Sequence, residues 1–198
     1  MARRWQDDGK MAGVKAAQER VSYADLERWP EDGRRYELYN GEVFEIPAPT
    51  LLHQFVLGRL HLALSAYVQI HGGAVFMAPV DIVLTDYDVV QPDVVLFSPE
   101  LQRRLDMRKV TRFAPDLAIE ILSPSTSRND RGRKQRLMEH HQLKEYWLVD
   151  PDGATEVYQF SDGQLILACT ARHDERIVST LLPELELRPS DLVPSPSN

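Results

Sequence analysis

Asp116-Leu117-Ala118-Ile119-Glu120-Ile121-Leu122-Ser123-Pro124 is the stretch that decides the fold class. Its β-branched and apolar residues favour a pleated strand, and Ser123-Pro124 stops it, because proline brings no N–H to a ladder. Alternation puts Ala118, Glu120 and Leu122 on one face and Leu117, Ile119 and Ile121 on the other. Both faces are apolar apart from Glu120, the pattern of a central strand covered on both sides. Covering two faces takes further layers. With the elements read below, in the order helix, hairpin, long helix, strands, helix, strand and hairpin, the chain is expected to be a mixed α/β or α+β domain. Glu120 breaks a rule in this strand: a buried carboxylate must be neutral or face a cation.

The candidate cation lies downstream. Asp130-Arg-Gly-Arg-Lys-Gln-Arg-Leu-Met-Glu-His-His reads as a helix running to about Gln142. Helical spacing puts Lys134 on the inward stripe with Leu137, Met138 and His141, and Arg136 nearly opposite. A second misplaced acid lies upstream, Asp93 in Val89-Val-Gln-Pro-Asp-Val-Val-Leu-Phe, where Pro92 marks a strand start or a bulge. Two inward acids and one inward lysine need one another electrostatically. Hard divalent cations such as Mg2+ prefer oxygen ligands. A metal held by Asp93 and Glu120 would polarise a phosphodiester and acidify a water, while Lys134 would orient that water or stabilise the pentacoordinate phosphate. The plainer alternatives are that each acid is a satisfied hydrogen-bonding group, and that Lys134 snorkels past Leu137.

Outward from these residues, Ser22 to Trp29 reads as a short helix with Ser22 as N-cap, Asp25 at the capping-box position and Pro30 as its end. Arg35–Tyr39 and Glu42–Ile46 form a hairpin through Asn40-Gly41. His53 to His71 is a long helix with an apolar face of Phe55, Leu57, Leu60, Leu62, Leu64, Tyr67 and Val68, stopped by Gly72-Gly73. Ala74–Leu84 and Val89–Phe97 are β-rich runs, and Glu145 to Asp150 is a strand stopped by Pro151. Thr155–Phe160 and Gln164–Thr170 pair through Asp162-Gly163. Residues 1–20 lack periodicity and are expected to be a flexible arm, with one domain over 21–190. The Pro- and Ser-rich tail, from Pro189 onward and above all over 191–198, is expected to fray.

Composition narrows the function classes. A chain of 198 residues, 43% hydrophobic and 27% charged, fills one core and is neither disordered nor long enough for two full domains. No apolar run spans a membrane, and the polar first residues carry no secretory signal. Cys169 is the only cysteine, which excludes an intramolecular disulfide and a Cys-rich zinc site and fits a reducing, cytoplasmic setting. A net charge of -7 argues against an indiscriminate nucleic-acid binder. From Arg103 to Arg136, however, ten basic residues stand against four acidic ones. That stretch is either a nucleic-acid patch or a solvated face.

Several segments together resemble the Uma2 family of the PD-(D/E)XK nuclease superfamily. They are Tyr36-Glu-Leu-Tyr-Asn-Gly-Glu, His53 opening a long helix, Gln91-Pro-Asp-Val-Val, Ala114-Pro-Asp-Leu-Ala-Ile-Glu-Ile-Leu-Ser-Pro-Ser-Thr, Asp130-Arg-Gly-Arg-Lys and Glu145-Tyr-Trp-Leu-Val-Asp-Pro. The resemblance implies a restriction-endonuclease-like core, a mixed central sheet flanked by helices, with Asp93 and Glu120 as the motif acids. The motif lysine normally follows two residues after the second acid. Here that position is Leu122, and Lys134 on the next helix is the substitute. Glu37 and His53 match supporting positions, Glu37 reaching the metal through water, and the Ile121 carbonyl is an implied extra metal ligand. From pattern alone, Glu37 is equally an exposed hairpin residue.

The function expected is Mg2+- or Mn2+-dependent endonucleolytic hydrolysis of DNA. A homodimer is expected, because two sites related by a two-fold axis cut both strands most simply. The competing class is a non-catalytic nucleic-acid-binding or regulatory module with a vestigial site. A serine hydrolase built on Ser123 or Ser125 with His53 or His141 is disfavoured, because no Gly-x-Ser-x-Gly elbow is present.

Overall fold

The computed structural model describes residues 20–194, so all of the arm expected over 1–20 but Arg20, and the last residues, 195–198, lie outside the described residues. A one-turn helix, α1 (Tyr23–Leu26), leads into the hairpin β1 (Arg35–Tyr39) and β2 (Glu42–Ile46). Ser22 and Asp25 cap α1 reciprocally, as the sequence predicts. Asn40 and Gly41 turn the hairpin with φ of 52° and 79°, the left-handed pair that a two-residue turn requires. The long helix α2 (Leu51–His71) follows, N-capped by Thr50. Then come β3 (Ala74–Met77), β4 (Ile82–Thr85), β5 (Asp88–Val90), β6 (Val94–Phe97), α3 (Pro99–Gln102) and β7 (Leu117–Ile121). After β7 a helical segment runs as α4 (Ser127–Asn129), a π-helical turn (Asp130–Lys134) and α5 (Gln135–His140). The chain closes through β8 (Glu145–Val149), β9 (Ala154–Ser161), β10 (Gln164–Arg172) and α6 (Pro189–Leu192).

The strands form two sheets. A six-stranded central sheet has the order β10-β9-β8-β7-β6-β3, and a four-stranded sheet has the order β2-β1-β5-β4. In the central sheet β7 and β8 are parallel and every other pair is antiparallel. The fold is thus mixed, with helices packed on a mixed sheet. Both β-rich runs expected from the sequence break in two and change sheets. Ala74–Leu84 divides at Pro79 and Val89–Phe97 divides at Pro92, since a proline inside a run withholds the N–H that a ladder needs. The second break matters most: Gln91-Pro92-Asp93 crosses from the small sheet to the central one and sets Asp93 at the joint.

The faces of β7 follow the alternation read from the sequence. Leu117, Ile119 and Ile121 pack with Val56, Leu57, Leu60 and Leu64 of α2 in one core. Ala118 and Leu122 belong to the other core, between the central sheet, the small sheet and α5, with Met138 and Tyr146. The face expected for α2 is corrected in part. Leu57, Leu60 and Leu64 are buried, but Phe55 and Leu62 are exposed. A helix laid on one sheet buries a single stripe, and those two residues lie on its far side. The start of the tail is corrected as well: Pro189–Leu192 forms α6, with Leu192 buried in the core that α2 covers. Among the described residues no helix is long and apolar enough to cross a membrane.

Candidate active site

Four elements bring charged side chains to one cleft of about 310 Å³. β1 contributes Glu37, β7 contributes Glu120, the joint between the sheets contributes Asp93, and the π-helical turn contributes Asp130 and Lys134. His53, in the first turn of α2, closes the wall. Lys134 is 4% exposed. Its Nζ lies 2.9 Å from Glu37 Oε1, 3.0 Å from Glu120 Oε2 and 3.6 Å from Asp130 Oδ1. The snorkelling alternative is thereby excluded, because the ammonium points inward among carboxylates.

Glu37 is saturated. Its Oε1 also accepts the Gln91 N–H at 2.8 Å, and its Oε2 accepts the Tyr39 hydroxyl at 2.7 Å. Asn129 donates in turn to the Tyr39 oxygen at 2.9 Å. Glu37 is 2% exposed, so the reading of it as a surface hairpin residue is overturned. Asp93 is held through one oxygen only. Its Oδ2 accepts the Ile121 N–H at 2.8 Å and meets His53 Nε2 at 3.1 Å. A carboxylate only accepts, so His53 donates from Nε2. Glu120 keeps Oε1 without a partner although it is buried.

One lysine stands against three buried acids. Burial pushes the Glu120 carboxyl well above its ordinary range; Lys134 opposes this, and Asp130, Asp93 and Glu37 reinforce it. Burial likewise raises Asp130 against the pull of Lys134. Burial disfavours the charge on Lys134, but Glu120, Glu37, Tyr39 and Asp130 outweigh it and hold the lysine well above its usual range. Lys134 is therefore a fixed cation and a hydrogen-bond donor, and neither a base nor an acid. Without a further cation the surplus negative charge is relieved by a proton on one acid, and Glu120, with its orphaned oxygen, is the natural holder.

The chemistry of the donor set fits a hard divalent ion. Both contacts of Asp93 fall on Oδ2, and Glu120 Oε1 is buried with no hydrogen-bond partner. An unsatisfied buried oxygen is costly unless something charged or polar meets it. Among the described residues no three His, Cys, Asp or Glu side chains form a ready metal cage. Two carboxylates with water completing the shell is the arrangement Mg2+ commonly accepts, so the absence of a cage and the orphaned oxygen are compatible.

Of the residues expected from the sequence, Asp93, Glu120, Lys134, Glu37 and His53 all line this cleft, and the Ile121 peptide adjoins it through its N–H. Asp130 and Tyr39 were missed. Asp130 sits four residues before Lys134, a spacing that puts both on one helix face and would have found it. Tyr39 carries no such signal, because its role depends on packing between layers. Leu122 is 8% exposed and packs in the apolar core, so no lysine is needed there. Among the described residues neither Ser123 nor Ser125 is hydrogen-bonded to His53 or His141: Ser123 Oγ meets Ser125 and Thr126, and His53 is engaged with Asp93. In the basic stretch four residues are paired with acids. Lys109 pairs with Asp106, Arg112 with Asp86, Arg131 with Glu156 and Arg133 with Glu42.

Comparison with known proteins gives a consistent picture. The model of the Uma2 family, described as a putative restriction endonuclease, matches residues 23–190. A crystal structure of a putative nuclease of the DUF820 family from Anabaena variabilis superposes with a TM-score of 0.72 at 21% identity. It covers 87% of this chain and 97% of the other. That likeness shows a shared fold. No curated protein matches.

Proposed function

The chain belongs to the Uma2 family, and from that premise we propose that the cleft is the centre of an Mg2+- or Mn2+-dependent endonuclease that hydrolyses DNA phosphodiester bonds. The observation that carries this reading is the orphaned Oε1 of buried Glu120, beside an Asp93 held by its Oδ2 and a lysine that cannot neutralise all three acids. Asp93, Glu120 and the Ile121 carbonyl would hold the metal. When bound, the ion would supply positive charge at the phosphodiester and acidify the attacking water.

The chain's own residues do the rest. His53 and the Ile121 N–H fix one oxygen of Asp93, which leaves the other for the ion. Glu37, tied by Tyr39 and Gln91, positions Lys134 rather than binding metal. Lys134 keeps its proton and offers it to the charge that builds on phosphate oxygens as water attacks and the P–O bond breaks. A homodimer with two such clefts would cut both strands of a duplex.

One observation favours a second reading, a non-catalytic nucleic-acid-binding or regulatory module: four of the basic residues available for DNA are already paired with acids. Plasmid, single-stranded and branched DNA incubated with Mg2+ or Mn2+ separates the two. Cleavage abolished by Asp93→Asn and Glu120→Gln supports the nuclease. Binding without metal-dependent cleavage, or an Asp93→Asn variant as fast as wild type, supports the module.

A further inference from the structure

The long helix α2 is apolar on both sides. Its inner stripe fills a core. Its outer stripe should be charged if it faced water throughout. Instead, Leu51 is 91% exposed, Phe55 44%, Leu62 63% and Ile70 80%. Arg59 is the only residue of the helix with a permanent charge, and its Nε is drawn sideways to the Asp191 carbonyl at 2.8 Å. Gly58 lies on the same outer side. A Cβ built there would meet nothing within 4 Å, so the glycine serves no packing need inside this chain. A glycine in a helix interior nevertheless costs about 1 kcal/mol relative to alanine.

The order of large and small residues says what covers this stripe. Leu51 and Ile70, and Phe55 and Ala66, are placed symmetrically about the point between Leu60 and His61. A second copy of the helix, laid antiparallel about a two-fold axis there, sets each Phe55 against the small Ala66. It sets each Leu62 over the hole bounded by Phe55, Gly58, Arg59 and Leu62 of the other copy. Such a four-residue hole is the seat of a packed knob, and Gly58 deepens it. The surface is thus complementary to itself, which is what an isologous dimer demands.

We infer that the outer face of α2 is the interface of a homodimer, with Leu62 of each copy seated at Gly58 of the other. The inference places the interface of the homodimer proposed above and does not depend on the chemistry of the cleft. Because the 21 residues of α2 span about 30 Å, and His53 lies in its first turn, the two clefts fall at opposite ends of the helix pair.

The test is the mass of the full chain in solution, by light scattering or analytical ultracentrifugation. Wild-type protein is expected to be a dimer. Leu62→Glu and Gly58→Leu are expected to halve the mass while the circular dichroism spectrum is kept, since both positions are exposed. Gly58→Leu should also melt no lower than wild type. In a Cys169→Ser background, Phe55→Cys chains should form a disulfide with Ala66→Cys chains and not with themselves. A monomeric wild type overturns the inference, whether residues 1–19 or a different protein cover the stripe. A dimer that survives Leu62→Glu overturns it too. The readout is mass and not cleavage, so failure here removes the homodimer but leaves the reading of the cleft as a nuclease centre untouched, and an inactive dimer leaves the interface standing.

Discussion

At the scale of single residues, the site is an excess of negative charge around one ammonium. In the metal-free protein, burial raises Glu120 above its ordinary 4.5 more than Lys134 lowers it. A group whose folded pKa exceeds its unfolded one stabilises fully below the unfolded value and loses that stability as pH rises through the folded value. Asp130 is shifted the same way. The melting temperature in chelator should therefore fall as pH climbs above about 4.5, and Glu120→Gln should flatten the slope and melt higher at neutral pH. A wild-type curve that rises through this window would count against the assignment. Lys134→Met should cost about 3–5 kcal/mol, because it strands buried acids without their cation. Denaturant melts of Lys134→Met, Glu37→Gln and the double variant should give strong non-additivity, with the double variant recovering part of the loss. Glu120 and Asp93 were legible as carboxylates interrupting apolar strands, and Lys134 as the one lysine on an inward helical stripe. Glu37 was ambiguous, since alternation in a two-faced hairpin does not say which face a second sheet will cover.

At the scale of elements, two devices place these side chains. Pro92 cuts one β-rich run so that β5 pairs in the small sheet and β6 in the central one, which leaves Asp93 at the crossing beside the end of β7. The helical segment widens into a π turn over Asp130–Lys134, anchored where the Tyr146 hydroxyl donates to the Asp130 carbonyl at 3.1 Å. Such turns accommodate one extra residue and recur at functional sites. Gly132 is the residue to remove, as its position meets only the Arg136 tip, 3.9 Å from a built Cβ. Its deletion should leave regular helix but turn Asn129 and Asp130 by roughly 100° relative to Lys134, the rotation of one α-helical residue. Circular dichroism should then be unchanged while the rise in melting temperature on adding Mn2+ shrinks. An unaltered Mn2+ response would show that the π turn is dispensable. Capping, hairpin turns and helix ends were legible, because Ser22, Asn40-Gly41 and Asp162-Gly163 act locally. The π turn was not, since it accompanies the long-range contacts of Lys134 with Glu37 of β1 and Glu120 of β7, which helical periodicity does not record.

At the scale of the whole molecule, two sheets and two helical layers converge on a cleft that carries more negative charge than it can neutralise, and that tension ties folding to metal. The sequence could not display it, because β1 and β7 lie eighty residues apart and their meeting depends on the sheet switch. An ion bound to the folded state alone stabilises it by about 2.7 kcal/mol at a hundredfold excess over its dissociation constant. For a domain of this size each kcal/mol moves the melting temperature by roughly 2–4 °C. Saturating Mn2+ or Mg2+ should therefore raise it by roughly 5–11 °C, and calorimetry should give one site per cleft. Asp93→Asn should abolish this rise without unfolding the apo protein. The amide oxygen still accepts the Ile121 N–H, and only the anion is lost. The apo variant should even melt no lower than wild type, because Asp93 contributes to the repulsion that Glu120 feels. If Asp93→Asn keeps the full metal-induced rise, the ion binds elsewhere and the pairing of Asp93 with Glu120 as its holders fails. If wild type shows no rise with either ion, the orphaned Glu120 oxygen is met by a proton alone, and the fold stands as a nucleic-acid-binding or regulatory module.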